Sequence, residues 1–155
     1  VTVTLELPGR LVGKGRPRFV RATGIAITPE RTRNMEAIVR SVAQDEMAGR
    51  SPFLGPVEVN ITMRWLYPRS WSKRRRAETH YASGRPDLDN CLKLLGDALN
   101  KIVWHDDAQI AKIGMVRFYV DGIESTTIRI SELGMTREAW MPPLGGDAPL
   151  FSNGQ

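Results

Sequence analysis

Five of the chain's 17 acidic residues fall in one run, RPDLDNCLKLLGDALNKIVWHDDAQI, from Arg85 to Ile110. Asp87 and Asp89 stand two apart at the start of a helical pattern. Lys93 follows one turn later, and Asp106 with Asp107 arrives where that helix should have ended. A helix thus brings two acidic clusters toward each other. Clusters of carboxylates suit hard cations such as Mg²⁺, which take oxygen ligands and keep several waters. Metal-assisted chemistry on phosphate is the first expectation.

The helix between the clusters has two faces by spacing alone. Leu88, Leu92, Leu95, Leu99 and Ile102 recur at steps of four and three and should face a core. Asp89, Lys93 and Asp97 recur at steps of four on a second face, with Lys93 in reach of both acids. A helix-start Asp89 bridged to Lys93 needs no function by itself. Asp87 is harder to dismiss, because Pro86 before it fixes its own φ and stiffens the approach. Asp106 and Asp107 fit a turn, or a pair held at the edge of the core behind Ile102, Val103 and Trp104.

Other acidic motifs fail on this spacing. An EF-hand loop needs glycine where this chain has Leu92 and a glutamate where it has Ala98. No Walker loop is present. An Asp-x-Asp phosphatase pair would end an apolar strand, whereas Ser83, Gly84, Arg85 and Pro86 precede this one. What remains is a nuclease-like set, with two acids at a helix entrance and a third returning after the helix.

The charge pattern agrees with a polyanionic substrate. Residues 9–21 (GRLVGKGRPRFVR) hold five cations and no acid, and residues 69–85 hold six cations against Glu78 alone, so each segment carries +5, the net charge of the whole chain. Two basic segments ahead of an acidic run predict nucleic acid gripped by the basic residues and cut at the acidic ones. The loop of residues 69–85 also contains Trp71, His80 and Tyr81, which can stack on bases, although Trp71 can equally anchor the loop.

A length of 155 residues fits one domain with a sizeable core, and no window approaches the roughly 20 apolar residues that cross a bilayer. The sole cysteine, Cys91, excludes an internal disulfide and fits a small core residue. VTVTLELPG lacks the features of a secretory signal, so a cytoplasmic site without membrane partners is expected.

Alternation predicts a strand over residues 1–7, a short hairpin from RFVR to GIAI, and a clear strand from Val57 to Trp65. Thr28, Pro29 and Glu30 predict a helix start with Thr28 as cap. Met35, Ile38, Val39, Val42 and Ala43 form its apolar stripe, and Gly49 closes it. Alternation on both sides of Asp121-Gly122 predicts a second hairpin. Residues 135–155, rich in Pro and Gly, read as a poorly ordered tail, leaving residues 1–134 as the domain. The expected fold class is α+β, a small mixed or antiparallel sheet with helices on one face.

The run RPDLDN, the lysine four residues after its second Asp, the following DAL and the later W-x-DDAQ closely resemble the RusA family of Holliday junction resolvases, encoded largely by phages and prophages. KGRPRF at residues 14–19 resembles the basic amino-terminal motif of phage members. The resemblance spans residues 1–133 and implies that Asp87, Asp89 and Asp107 hold the metal and that Lys93 is the catalytic lysine. Asp97 and Asp106 match further acids of the family. It further implies a two-fold homodimer that nicks four-way DNA junctions symmetrically with Mg²⁺, for which Mn²⁺ can substitute, in recombination and repair. Lys14, Arg16, Arg18, Lys73, Arg74, Arg75, Arg76 and Arg85 would bind DNA phosphates. Two alternatives stay open from the residues: a nuclease acting on flaps or forks, and a structure-selective DNA-binding protein that does not cut. The tail after Gly134 and His105 depart from the shorter family members.

Overall fold

The computed structural model describes residues 1–134; the predicted tail lies outside the described residues. The chain runs β1 (Thr2–Pro8), β2 (Arg18–Val20), β3 (Ile25–Ile27), α1 (Glu30–Glu46), β4 (Val57–Leu66), α2 (Lys73–Glu78) and α3 (Leu88–Leu99). A single 3₁₀ turn (Asp107–Gln109), β5 (Ile110–Val120) and β6 (Ser125–Glu132) follow. Four strands form one mixed sheet in the order β1-β6-β4-β5, and β2 and β3 form a separate two-stranded ribbon. This is the expected α+β class.

The sheet is amphipathic because its strands alternate. Val57, Val59, Ile61, Met63 and Trp65 of β4 are buried, as are Val3, Leu5 and Leu7 of β1 and Ile128 and Ile130 of β6. On β4 the intervening Glu58, Asn60, Thr62 and Arg64 stay at least partly exposed, as the two-residue period of a strand requires. The two long helices pack on the apolar face, α1 against β1 and α3 against α1.

Several boundaries and pairings differ from the sequence expectations. Helix α1 starts with Pro29, not Thr28, at the cap position and has no side-chain cap. Its buried residues are Thr32, Val39 and Ala43, while Ile38 is exposed. The buried side of α3 is centred on Cys91, Leu94, Leu95, Ala98 and Leu99; Leu88, Leu92 and Ile102 are only partly buried at its margin. The step pattern found the helix but placed its core face too near Leu92. Burial pushes the Cys91 thiol up to about 11, as expected of an inert core cysteine.

The second predicted hairpin is not formed. β5 and β6 are consecutive, but β4 lies between them, paired antiparallel to β6 and parallel to β5. Residues 121–124 cross the end of β4, where the Glu124 carboxylate accepts the Leu66 N–H at 3.1 Å and Arg10 Nε at 2.7 Å. Alternation identifies strands, and Asp-Gly identifies a turn with Gly122 at φ 106°. Neither says which strands are partners.

The basic stretch expected to be a loop contains a helix. Ser72 caps α2 by accepting the Arg75 N–H at 3.2 Å. Its signal, a serine before KRRRAE, was obscured by the lack of any apolar face, since no residue of α2 is buried.

The burial pattern of α3 is testable by truncation. Leu99→Ala should cost about 2–5 kcal/mol, the range for a fully buried leucine, and Leu92→Ala clearly less. Urea unfolding of both variants checks the assignment; equal losses would restore the stripe expected from spacing.

Candidate active site

The entrance of α3 sets the geometry of the acidic residues. Asp87 is the N-cap, with extended backbone at φ −69° and ψ 149°, yet its side chain makes no capping hydrogen bond. An aspartate in this position normally accepts an N–H two or three residues on. The Asp87 carboxylate is thus left available beside the positive end of the helix. Asp89 lies in the first turn, and Lys93 Nζ donates to its Oδ2 at 3.1 Å across an exposed i, i+4 pair. That hydrogen bond is the main cause holding the Asp89 carboxyl below the usual carboxylate range.

Lys93 does not share itself between two acids, as spacing allowed. Asp97 is paired instead with the Lys14 ammonium, which arrives from the basic loop after β1. That loop also joins α3 through its backbone, Lys14 N–H donating to the Asn90 carbonyl at 3.0 Å. Its glycines permit the approach. A Cβ at Gly13 would meet Pro86 Cβ at 2.8 Å, and one at Gly15 would meet Pro29 Cγ at 2.8 Å and Thr32 Oγ1 at 2.9 Å. Gly15 N–H also donates to Thr32 Oγ1 at 3.0 Å, which satisfies that buried threonine.

The second acidic pair divides its labour. Asp106 accepts the Ala108 N–H at 2.9 Å, and Gln109 Oε1 accepts the N–H groups of Asp106 at 3.1 Å and His105 at 2.7 Å. Asp106 is therefore a cap in a reciprocal capping box. Gln109 Nε2 donates to the Phe53 and Gly55 carbonyls, each at 2.9 Å, which ties the turn to the segment before β4. This leaves Asp107 lying against α3. A Cβ at Gly96 would stand 3.0 Å from Asp107 Oδ2.

At 1.5 Å per residue, Gly96 is about 10 Å farther along the helix axis than Asp89, and 100° steps put Asp89, Lys93 and Gly96 within about 60° of arc. Asp89 and Asp107 thus lie on one side of α3 without converging. Among the described residues, no three His, Cys, Asp or Glu side chains are grouped closely enough to hold a metal ion. Mg²⁺ is commonly held by one or two carboxylates together with water and phosphate oxygens. Asp87 and Asp89 fit that pattern; a three-carboxylate cage is not formed.

Arg117 of β5 was not singled out by the sequence, because an arginine in an alternating strand resembles any solvated position. Its Nη1 donates to the Pro86 carbonyl at 2.6 Å and its Nε to the Ala82 carbonyl at 3.2 Å, and its guanidinium lies 4.5 Å from the centre of the Trp65 ring. It clamps the segment that leads into Asp87. Gly96 was likewise missed, since a helical glycine gives no sign of what packs on it.

The second basic segment is partly committed to the fold. Arg76 donates to the Pro68 carbonyl at 3.4 Å, Arg75 lies 3.9 Å over the Trp71 ring, and Arg74 pairs with Glu78 at 2.8 Å on the surface. Trp71 in turn packs with Tyr67 and Tyr119, so it does anchor the segment. Arg85 and Arg16 line a cleft of about 620 Å³ between the basic loop, the start of α1 and the entrance of α3, with Asp87 in its wall.

Residues 8–131 match the family described as Endodeoxyribonuclease RusA. The chain belongs to the RusA endodeoxyribonuclease family. The match takes in both basic segments and the whole acidic run, and membership makes the chain a nuclease acting on DNA. A Bacillus subtilis (strain 168) protein, described as Uncharacterized protein YqaN, is 27% identical over 119 residues, covering 72% of this chain and 83% of the relative. In this RusA-family chain, the described residues contain no helix long and apolar enough to cross a membrane.

The Arg117 clamp predicts local rather than global weakness when it is lost. Hydrogen bonds from a charged group are worth roughly 1.5–3 kcal/mol each, so Arg117→Met should loosen residues 82–86. Limited chymotrypsin digestion should then cut after Tyr81, at the start of that segment, at least tenfold faster, a rough figure from that energy. Unchanged cutting would mean that Pro86 is held by other contacts.

Proposed function

We propose that the chain is a Mg²⁺-dependent endonuclease that resolves four-way DNA junctions by paired nicks. The observation that carries this is Asp87, an N-cap aspartate that does not cap, placed in the wall of a basic cleft and followed by the Asp89–Lys93 pair. A purely structural aspartate at a helix start would bond its own helix.

Asp87 and Asp89 would hold the ion, and Asp107 is the third carboxylate of the catalytic set. An ion held by these residues would supply positive charge to the phosphate and make a nearby water more acidic. Lys93 holds Asp89 in its ionised form and presents an ammonium beside the scissile phosphate, where negative charge develops. Lys14, Arg16, Arg18 and Arg85 bind the flanking phosphates from one side, and Lys73 with Arg74, Arg75 and Arg76 from the other. Within that second group, Lys73 is the freer contact, since Arg74 is paired with Glu78, Arg75 lies over Trp71 and Arg76 is turned toward Pro68.

A four-way junction is nearly two-fold symmetric, so a C2 homodimer would present one site to each of two opposed strands. Recombination and repair in the cytoplasm are the processes that supply such substrates. Sedimentation at micromolar concentration should give the dimer mass; a monomer mass unchanged by junction DNA rejects this part of the proposal.

The catalytic assignment is tested by charge-removing substitutions that keep shape. Asp87→Asn and Asp89→Asn should abolish nicking in Mg²⁺ while junction binding in Ca²⁺ is kept or improved, because each removes a repulsive charge from the phosphate path. Lys93→Ala should lose nicking without any gain in binding. Asp107→Asn should also lose nicking. Gly96→Ala offers a finer probe of Asp107: alanine favours the helix by up to about 1 kcal/mol, yet its Cβ must displace the carboxylate. Stability retained with single-turnover nicking reduced supports a working Asp107. Asn variants that cut as fast as wild type would reject these carboxylates as the metal site, and a wild-type chain that binds junctions in Mg²⁺ without nicking them would leave a DNA-binding protein without catalysis.

A further inference from the structure

The cleft beside Asp87 is built for more than a phosphate. Four cations line it: Lys14 and Arg16 from the basic loop, Arg31 from the first turn of α1, and Arg85. Lys14 is already neutralised by Asp97, whereas Arg16, Arg31 and Arg85 have no ion pair among the described residues. Asp87 is the sole acid in its wall. Charge of this sign and density asks for an anion.

The rest of the wall is apolar or neutral. Val12, Pro29 and Pro86 line the cleft together with Asn90. A volume of about 620 Å³ lies within the roughly 300–1,000 Å³ typical of sites for small organic ligands. A lone phosphate would leave the proline faces against water. A nucleotide satisfies both parts, its phosphate on the arginines and its base against the prolines, with Asn90 able to donate to and accept from a base edge.

We propose that this cleft receives one unpaired nucleotide of the DNA, next to the phosphate presented to Asp87. A base within a continuous duplex is stacked and paired and cannot enter a concave site without first being extruded. Branch points supply unstacked nucleotides at little cost. The cleft therefore selects for local unpairing beside the cut, and a four-way geometry is one way of providing it. This rests on the proposed placement of DNA at Asp87, and it names the feature of DNA that the site recognises.

The test uses the full chain and three duplexes of one sequence: fully paired, with a single-nucleotide bulge, and with the same bulge carrying an abasic sugar. Affinities are measured in Ca²⁺ and single-turnover nicking in Mg²⁺. Stacking of one base on a protein surface is worth about 1–3 kcal/mol, or roughly 5- to 150-fold in affinity. The bulge should bind more tightly than its abasic analogue by a factor in that range, and the paired duplex should bind most weakly. Arg31→Ala, at an exposed position that should not disturb folding, should weaken both bulges alike because it removes a phosphate contact, whereas Asn90→Ala, which removes the group facing the base edge, should shrink the base-dependent ratio.

Equal binding of the normal and abasic bulges would overturn the proposal. So would a base-dependent ratio that Asn90→Ala leaves unchanged, since the base would then be read elsewhere. Failure of nicking on every substrate would sink the endonuclease proposal instead, while the binding ratios would still report on the cleft.

Discussion

Everything at the site depends on where α3 begins, and that is fixed by the contact between the Arg117 guanidinium and the Pro86 carbonyl at 2.6 Å. Arg117 sits on β5, stacked on Trp65 of β4, so the helix entrance is referenced to the paired β4 and β5 strands of the sheet. A planar guanidinium suits this task because its donors lie in fixed directions while its face stays against an aromatic ring. From the other side, the basic loop bonds Asn90 and lays Gly13 on Pro86. Asp87 is thus held between two anchors that do not use its carboxylate.

The same economy runs through the charges. Lys14 is set on Asp97, Lys93 on Asp89 and Arg10 on Glu124, so each acidic or basic run is partly balanced by the other. Exposed pairs of this kind contribute little to stability, typically about 0–1 kcal/mol. Their consequence is positional: Lys14 ties the basic loop to α3, which puts the cleft's arginines beside Asp87. The core beneath, from Leu94, Leu95 and Leu99 to the inner faces of β4 and β6, supplies the stability that such a surface does not.

The two acidic pairs look alike in the chain and act differently in the fold. Asp106 is consumed by its capping box, while its neighbour Asp107 is turned onto Gly96. At the other pair, Asp87 holds the capping position without capping, and Asp89 is engaged by Lys93. Which member of each pair is free follows from hydrogen-bond partners supplied by other elements.

Sequence alone determined what depends on local periodicity and residue type. The strands at Thr2–Pro8 and Val57–Leu66, both long helices, the β2–β3 ribbon, the mixed α+β class and the family resemblance were all legible, because pleat, helical repeat and motif spacing are properties of neighbouring residues. Only the tertiary structure decided that β4 separates β5 from β6, that Lys14 rather than Lys93 meets Asp97, and that Arg117 clamps Pro86. It also decided that Gly13 and Gly15 are required for close approach and that Asp107 rests on Gly96, since the atoms that crowd these glycines come from Pro86, Pro29 and Asp107. These partners are brought together by burial of the shared core, a property of the whole chain that no short stretch of it encodes.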